Sequence, residues 1–357
     1  MKLAFITATP QNVRLGSGTF VGTAYLMDHL RYLGHRVDIH APSRSSGMMG
    51  YTAHRFAWNL SLNPRDFNSY DVVVGLDMDG YTIADRLQNP FVAYIHGIIA
   101  DEAQFERGWV RLSLELMAKA ERLSVHRANQ VITVSTYSCK RLGQLYQYSQ
   151  PIARVPPPFD LQGWDRALTA AAAAAELSDQ RPTVLCVGVQ YPRKNVLTLI
   201  RAAAILRNHV PTVEVRIASQ GPEWPHLCRL AKQLQLQQTV TFLGYLAYPD
   251  LVREYINCQV FCLPSLQEGF GLVFAEAMAT AKPIVASRSS STPELIEDGI
   301  QGLLATPLDA EDLAEKLATI LLSPDRGTAM GKAGRSRVGE FEVSAIANQF
   351  IQVLESL

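Results

Sequence analysis

The sequence lacks several features that mark specialised classes of protein. It contains five cysteines but no Cys-x-x-Cys pair, and lysine plus arginine number 33, as do aspartate plus glutamate, so the net charge is zero. No apolar run reaches the roughly 18 residues of a membrane-spanning helix. The apolar run at the N-terminus is too short for a signal peptide, and no repeat of solenoid period occurs.

Each absence excludes a class of protein. Unpaired cysteines in apolar stretches are typical of a reducing cytosol. Balanced charge argues against a nucleic-acid partner held by bulk positive charge. We therefore expect a cytoplasmic protein with no nucleic-acid partner, for which any membrane contact would be peripheral and at the inner membrane face. The 357 residues, 48% hydrophobic, suffice for two domains.

What is present is a repeated alternation of short apolar strands and helices. Lys2 to Thr7 and Arg36 to Ala41 flank a helix that the pattern predicts from Thr19 to Leu33. A second series of strands and helices begins at Thr183. Because such βα units form parallel sheets, the sequence predicts two doubly wound, Rossmann-like α/β domains.

One stretch, Pro264 to Ser287, combines a buried strand end, a glycine loop and a short apolar helix. Two carboxylates, Glu268 and Glu276, stand in these apolar surroundings, where a charge is costly unless it is hydrogen-bonded. The loop amides at a helix N-terminus favour an anion such as a phosphate. Two interpretations stay open on the residues alone: a ligand site, or a capping acid beside a salt-bridged one.

Residues 264–279 resemble the signature of the retaining glycosyltransferases of family 4, in the form P-S-x-x-E-G-F-G-L-x-x-x-E-A-M-A. The resemblance implies the GT-B fold, with two Rossmann-like domains facing a central cleft. It also implies a nucleotide-diphosphate sugar as donor and a glycan, a lipid-linked or a small-molecule hydroxyl as acceptor. By the resemblance, Glu268 lies beside the transferred sugar and Glu276 holds the ribose hydroxyls. The further donor-binding residues that it implies are Gly18, Tyr245, Gly269, Phe270, Gly271 and Leu272.

Two cations follow the first strand of the second series. Arg193 and Lys194 stand in a strand-to-helix turn, where a guanidinium fork and a compact ammonium suit a diphosphate; the alternative is a solvated turn. Relatives carry an arginine at the position of Val189, so that charge is missing here. We hypothesise that Arg193 replaces it, and that Arg193 and Lys194 serve the catalytic step.

Polar groups also follow two strands of the first series. Asp77 and Asp79 come after one strand and His96 after the next, at the strand ends where ligands bind in open α/β sheets. The resemblance makes His96 a catalytic residue in contact with the donor sugar. For the aspartates, acceptor binding and simple turn formation stay equally open. The D-x-D spacing of a metal box is present, but GT-B relatives need no metal, so we expect neither metal nor other cofactor.

The stretch from Glu102 to Arg127 reads as one long helix of mixed charge. A solvated face is the favoured interpretation. An interfacial helix on anionic lipid is the alternative, and it is less favoured because it requires a more one-sided basic face.

The predicted organisation is an acceptor-binding domain over 1–160, a linker over 161–181, a nucleotide-sugar domain over 182–335, and a helix over 336–357 that returns to the first domain. The predicted function is retaining hexosyl transfer. A non-catalytic sugar-nucleotide-binding protein and a GT-B epimerase are the alternatives.

Overall fold

A computed structural model describes residues 1–10, 13–42, 50–173 and 181–357, with the backbone alone for 13–17. The chain divides into two compact units. Unit 1 comprises residues 1–159 together with 343–357, and unit 2 comprises residues 160–342. Within these described ranges, no helix is both long and apolar enough to cross a membrane.

Unit 1 is built on a six-stranded parallel sheet of order β2-β1-β3-β4-β5-β6. The strands are β1 (Lys2–Ile6), β2 (Arg36–His40), β3 (Val72–Leu76), β4 (Phe91–Ile95), β5 (Gln130–Thr133) and β6 (Ile152–Arg154). Its helices are α1 (Val13–Tyr32), α2 (Tyr51–Ser61), α3 (Ile99–Glu102), α4 (Gly108–Arg127), α5 (Thr136–Tyr146) and the last helix of the chain, α14 (Val343–Glu355).

The centre of this sheet is buried on both faces. Every position of β3 and β4 is buried, which is why both strands read as unbroken apolar runs. Helix α14 belongs to unit 1 because its Phe350 packs on Phe5 of β1 and Tyr94 of β4, with ring centroids 6.1 and 5.7 Å apart.

Unit 2 repeats the plan with the order β12-β11-β10-β7-β8-β9, again all parallel. The strands are β7 (Thr183–Val187), β8 (Glu214–Ala218), β9 (Val240–Gly244), β10 (Val260–Leu263), β11 (Ile284–Ser287) and β12 (Gly302–Ala305). The helices are α6 (Leu161–Ala173), α7 (Val196–His209), α8 (Trp224–Gln233), α9 (Tyr248–Asn257), α10 (Leu272–Ala279), α11 (Thr292–Leu295), α12 (Ala310–Leu321) and α13 (Pro324–Arg337).

The direction of winding reverses once in each sheet. In unit 1 the reversal lies between β1 and β3, and in unit 2 between β7 and β10. Loops that leave neighbouring strands there diverge and open a crevice at the carboxyl edge, where open α/β sheets bind ligands. The prediction of two doubly wound α/β domains is confirmed.

Three local predictions differ from the structure. The predicted N-terminal loop is helical from Val13, so Gly18 lies inside α1 as an exposed residue and not in a phosphate loop. Residues 42–69, read as irregular, contain α2, whose buried positions are the polar Arg55 and Asn59; apolar periodicity could not reveal it. The predicted linker is largely α6, which belongs to unit 2 and buries Trp164.

Candidate active site

The signature stretch meets the first strand-to-helix turn of unit 2 because β10 and β7 are neighbours in the sheet. The backbone N–H of Leu266 donates to the carbonyl of Arg193 at 2.8 Å. The side-chain amide of Asn195 donates to the carbonyl of Pro264 at 3.2 Å. These bonds tie the loop after β10 to the turn after β7 at the point where the winding reverses.

Glu268 is buried in this loop and carries a negative charge. Lys194 Nζ donates to its Oε1 at 2.5 Å, and Ser265 Oγ donates to the same oxygen at 2.7 Å. Burial by itself raises the pKa of Glu268, but the charges of Lys194 and Arg193 and these two hydrogen bonds outweigh it, so the pKa lies below its ordinary value. Both hydrogen bonds that described residues donate to this carboxylate fall on Oε1.

The backbone of Glu268 is held by the serine loop that follows β11. Its N–H donates to Ser290 Oγ at 2.9 Å, and Ser291 Oγ donates to its carbonyl at 3.0 Å. Ser290 adopts a left-handed conformation with φ of 52° to make this contact. The carboxylate is therefore fixed through both its side chain and its main chain, which is the kind of preorganisation that a catalytic group needs.

Arg193 lies on the same loop surface as Glu268 and is half-buried. Its guanidinium stands 5.5 Å from the centroid of the Tyr191 ring and donates to the Gln267 carbonyl at 3.5 Å. These contacts place its charge next to Glu268, where it contributes to the lowered pKa of that carboxyl. The interpretation of Arg193 as a freely solvated turn residue is thus disfavoured.

The glycine loop leads into α10 through a conformation that only glycine adopts without strain. Gly271 has φ of 95°, and a Cβ there would meet the Phe274 ring at 2.6 Å. The Phe270 side chain is buried against Phe341, with ring centroids 5.0 Å apart. Any ligand contact from Gly269, Phe270, Gly271 or Leu272 is therefore expected from the backbone amides and not from the Phe270 ring.

Glu276 stands in different surroundings from Glu268. Its Oε2 accepts a hydrogen bond from the Tyr255 hydroxyl at 2.7 Å. Burial raises the pKa of Glu276 to about 7, and the Tyr255 hydrogen bond opposes that rise only in part. Glu276 is accordingly poised between its neutral and charged forms at physiological pH.

Tyr245 lies apart from the Glu268 loop in the sheet. It follows β9, the edge strand, two strands away from β7, and its side chain is 47% exposed.

Gln190, in the loop after β7, connects that loop to the end of β8. Its Nε2 donates to the carbonyl of Ser219 at 2.9 Å. Ser219 in turn donates its N–H to the carbonyl of Gly244, at 2.6 Å.

At the carboxyl edge of the unit 1 sheet, a neutral His96 stands beside the carboxylate of Asp77, which is mostly ionised at pH 7. The backbone N–H of His96 donates to Asp77 Oδ1 at 3.0 Å, and His96 Nδ1 lies 3.9 Å from the same oxygen. Burial lowers the pKa of His96 to about 4, so its imidazole is neutral at pH 7. Burial also raises the pKa of Asp77 to about 6. His96 Nδ1 has no hydrogen-bond partner among the described residues.

A small cavity lies beside this pair in unit 1. His96 Nε2 is 3.5 Å from Thr23 Oγ1, and Thr23 is part of the cavity wall. The residues that line the cavity are Thr7, Thr9, Thr19, Phe20, Thr23 and Leu76. Its volume of about 10 Å³ has room for no more than about one water molecule.

Asp79, predicted as an acceptor-binding residue, lies in the framework of unit 1. Asp79 is 0% exposed. Arg55 donates to both of its oxygens at 2.9 Å, Asn59 Nδ2 donates to Oδ1 at 2.9 Å, and the backbone N–H of Ala8 donates to Oδ2 at 2.6 Å. With both oxygens engaged inside the protein, Asp79 fixes α2 and the end of β1 to the β3 loop.

Asp77 and Asp79 also turn to different partners: Asp77 accepts from the backbone N–H of His96, and Asp79 accepts from Arg55 and Asn59. The described ranges contain no group of three or more histidine, cysteine, aspartate or glutamate residues arranged to hold a metal ion.

Sequence reasoning missed the groups that support the two glutamates. Ser265 could have been found, because a serine three residues before a glutamate is a local hydrogen-bonding pattern. Ser290 and Ser291 lie in a stretch that was expected near phosphates, but their bonds to Glu268 depend on the pairing of β10 with β11. Tyr255 gives no sequence signal, since it joins Glu276 only through the packing of α9 against α10.

Comparisons with known proteins give the family and the fold class of the chain. The family model for glycosyl transferases group 1 matches residues 170–337, and that for glycosyltransferase family 4 matches residues 16–162. A GDP-mannose-dependent alpha-(1-6)-phosphatidylinositol monomannoside mannosyltransferase of Mycobacterium tuberculosis is 30% identical over 254 residues, which cover 68% of this chain and 64% of that protein. The match thus spans somewhat less than two thirds of the relative's length.

Solved structures share the fold over nearly the whole chain. Sucrose-phosphate synthase from Thermosynechococcus elongatus aligns with a TM-score of 0.83 at 22% identity, covering 99% of this chain and 98% of that one. HepE of Anabaena, solved with UDP and glucose, aligns with a TM-score of 0.76 at 20% identity over the full length of both. These neighbours confirm the predicted GT-B fold class. With two family models covering most of its length, the chain belongs to the group 1 glycosyltransferases.

Proposed function

We propose that this protein is a retaining hexosyltransferase that moves a sugar from a nucleotide-diphosphate donor to an acceptor hydroxyl. The observation that carries the proposal is the buried Glu268, ionised by Lys194 and braced by Ser265 at the reversal point of unit 2. A fixed carboxylate beside two cations offers one group for sugar hydroxyls and two for a diphosphate. The family relationship supports this interpretation.

In the proposed reaction, the acceptor oxygen bonds to the anomeric carbon while the bond from that carbon to the phosphate oxygen breaks. The diphosphate leaves with the electron pair and takes the proton of the acceptor hydroxyl. Arg193 and Lys194 stabilise the developing negative charge together with the amides of Gly269–Leu272. Glu268 orients the sugar through Oε2, and catalysis consists chiefly of positioning and charge stabilisation.

We assign the ribose hydroxyls of the donor to Glu276 and the base to the region of Tyr245. His96 is proposed to meet the transferred sugar as a neutral imidazole, with its unpartnered Nδ1 available for a hydroxyl. Asp77, whose Oδ1 accepts the backbone N–H of His96, is the candidate that we propose for binding an acceptor hydroxyl. We further propose that no metal takes part.

The activities of relatives narrow the substrates to be tried. GDP-mannose-dependent enzymes acting on phosphatidylinositol monomannosides and D-inositol 3-phosphate glycosyltransferases both match this chain, and the HepE structure holds UDP and glucose. We propose a lipid-linked acceptor hydroxyl, encountered at the inner membrane face by a peripheral enzyme. A water-soluble glycan or a small polyol is the second choice.

A donor panel tests the proposal. The full chain is incubated with GDP-mannose, UDP-glucose and related nucleotide sugars, with and without a bacterial lipid extract, and nucleoside diphosphate release is measured. We expect release with one donor and a marked increase with acceptor. Binding of a nucleotide sugar without release would instead favour a non-catalytic binding protein, and an interconverted nucleotide sugar without release would favour an epimerase.

A further inference from the structure

Helix α4 of unit 1 carries an apolar stripe on its exposed side. Trp109 is 83% exposed, Leu112 50%, Leu116 53% and Leu123 42%. Their spacing of three, four and seven residues keeps them on one side of the helix over about 21 Å at 1.5 Å per residue. Single exposed leucines are ordinary, but an aligned row of four large apolar side chains marks an interaction surface.

Cations flank this stripe. Arg107, Arg111, Lys119 and Arg122 are all exposed. In a helical projection, Arg111, Lys119 and Arg122 fall on one border of the stripe, so that the apolar and cationic halves of the exposed side run parallel along the helix.

The structure removes the objection that the sequence raised to a basic face. Of the two glutamates in α4, Glu121 turns inward and is 0% exposed. Its Oε2 accepts the backbone N–H of Ile99 at 2.8 Å, and burial raises its pKa well above the ordinary value. Glu115 is exposed but is paired with Arg111 at 2.8 Å. The exposed side of α4 is therefore more cationic than the linear sequence indicates.

We propose that the stripe of α4, defined as Trp109, Leu112, Leu116 and Leu123, together with the flanking cations Arg107, Arg111, Lys119 and Arg122, is the surface by which this protein binds an anionic lipid bilayer. Apolar side chains beside long cations are what an interfacial helix requires: the former enter the acyl boundary, while the latter reach headgroup phosphates. Charge complementarity favours the bilayer over an apolar protein groove. Burying four cations in such a groove would remove their hydration without providing anionic partners.

This inference deepens the proposed function, on which its lipid acceptor rests, but its test does not require turnover. The full chain is mixed with vesicles of phosphatidylcholine containing roughly 30% phosphatidylglycerol, and the bound fraction is measured by flotation. We expect binding to these vesicles, little binding to pure phosphatidylcholine, and a loss in about 0.5 M sodium chloride, where screening shortens electrostatic reach. Trp109 fluorescence should shift to the blue on binding, and this shift should be absent in Trp109→Phe.

Two variants separate the apolar and cationic contributions. Leu112→Asn with Leu116→Asn should weaken vesicle binding at least about tenfold, because each leucine loses its burial in the acyl boundary. Lys119→Glu with Arg122→Glu should abolish the preference for anionic vesicles. The matched controls are Leu322→Asn and Lys232→Glu, which alter an exposed leucine and an exposed lysine of unit 2 and should leave vesicle binding unchanged. Circular dichroism melts confirm that all variants fold.

The outcomes are distinguishable. Wild-type protein that stays off anionic vesicles, or α4 variants that float as well as the wild type, would overturn the membrane proposal while leaving glycosyl transfer intact. A self-associated species in sedimentation velocity that Leu116→Asn dissolves, without vesicle binding, would assign the stripe to a second copy of the chain and likewise overturn it. Protein that floats but releases no nucleoside diphosphate would contradict the proposed function alone.

Discussion

Both units place a carboxylate at the carboxyl edge of the sheet, but the pKa values of these two carboxylates are shifted in opposite directions. In unit 2, Glu268 is held ionised and two cations, Arg193 and Lys194, stand beside it. In unit 1, the buried His96 is neutral at pH 7, and the pKa of Asp77 is raised to about 6. Unit 2 thus offers a carboxylate held ionised by cations, whereas unit 1 offers a neutral imidazole beside Asp77, which is mostly ionised at pH 7 despite its raised pKa.

The difference arises from the partners that each sheet supplies. In unit 2, the turn after β7 brings Lys194 within 2.5 Å of Glu268. In unit 1, Arg55 pairs with the framework carboxylate Asp79. Burial outweighs the charge of Arg55 and the backbone hydrogen bond from His96, so the pKa of Asp77 is raised. A diphosphate, which carries several negative charges, suits the first arrangement, while uncharged hydroxyls suit the second. The comparison teaches that the position of the nearest cation, beside Glu268 in unit 2 but bonded to Asp79 in unit 1, decides the direction in which burial and charge together shift the pKa of each carboxyl.

The largest effect is expected from removing the charge of Glu268. Glu268→Gln should retain nucleotide binding but lower the rate of sugar transfer at least about a hundredfold, the scale of one positioned group. Steady-state kinetics and nucleotide titration measure the two quantities. Glu297→Gln, an exposed glutamate of the same unit, is the matched control. Turnover of Glu268→Gln at the wild-type rate would refute the role assigned to Glu268.

A smaller effect is expected at Arg193, which we propose to replace the charge that relatives carry at the position of Val189. Arg193→Ala should lower the transfer rate about tenfold or more, and its melting temperature should change little because the contact with the Tyr191 ring is worth only about 0.5–1 kcal/mol. Arg193→Lys should recover part of the rate, since an ammonium lacks the bidentate fork. Arg201→Ala serves as the control on an exposed position. A silent Arg193→Ala would leave the diphosphate to Lys194 and the loop amides.

Glu276 sharpens the comparison through pH. Its ordinary pKa is 4.5, and burial raises it to about 7. Between these values the folded protein keeps a proton that the unfolded chain has lost, so the free energy of unfolding falls as pH rises through that window and levels off above it. The wild type should therefore lose stability relative to Glu276→Gln between pH 5 and pH 7 by roughly 2–3 kcal/mol. Thermal melts of both proteins across this range measure the difference.

The same titration should appear in ligand binding. If Glu276 accepts the ribose hydroxyls, nucleotide affinity should rise several-fold as pH increases through about 7, because a carboxylate accepts more strongly than a carboxylic acid. Affinity of Glu276→Gln should be lower and independent of pH in this range. An identical pH profile for both proteins would place the ribose elsewhere.

The smallest expected effect concerns metal. A chelator should change the transfer rate by no more than about twofold, because the diphosphate is met by cationic side chains and amides without a bridging ion. The rate is measured with excess chelator and again after adding magnesium or manganese. Loss of activity that either ion restores would show that a metal takes part and would contradict this prediction.

The sequence by itself determined the two doubly wound domains and the position of Glu268, Arg193 and Lys194. Buried parallel strands are apolar runs whatever the surrounding fold, and a loop motif is contiguous in the chain. Both can therefore be recognised in the linear sequence. The family signature at residues 264–279 is local in the same sense, and the family comparison bears it out.

Only the tertiary structure decided how each charge is satisfied. Asp79 meets Arg55 across 24 residues and Lys194 meets Glu268 across 74, and no spacing rule joins residues so far apart. The same holds for α2, which buries polar residues and so shows no apolar period, and for Glu121, whose inward turn makes α4 basic on its exposed side. Periodicity reports which positions are apolar, whereas the pairing of buried polar groups depends on which elements the sheet order brings together.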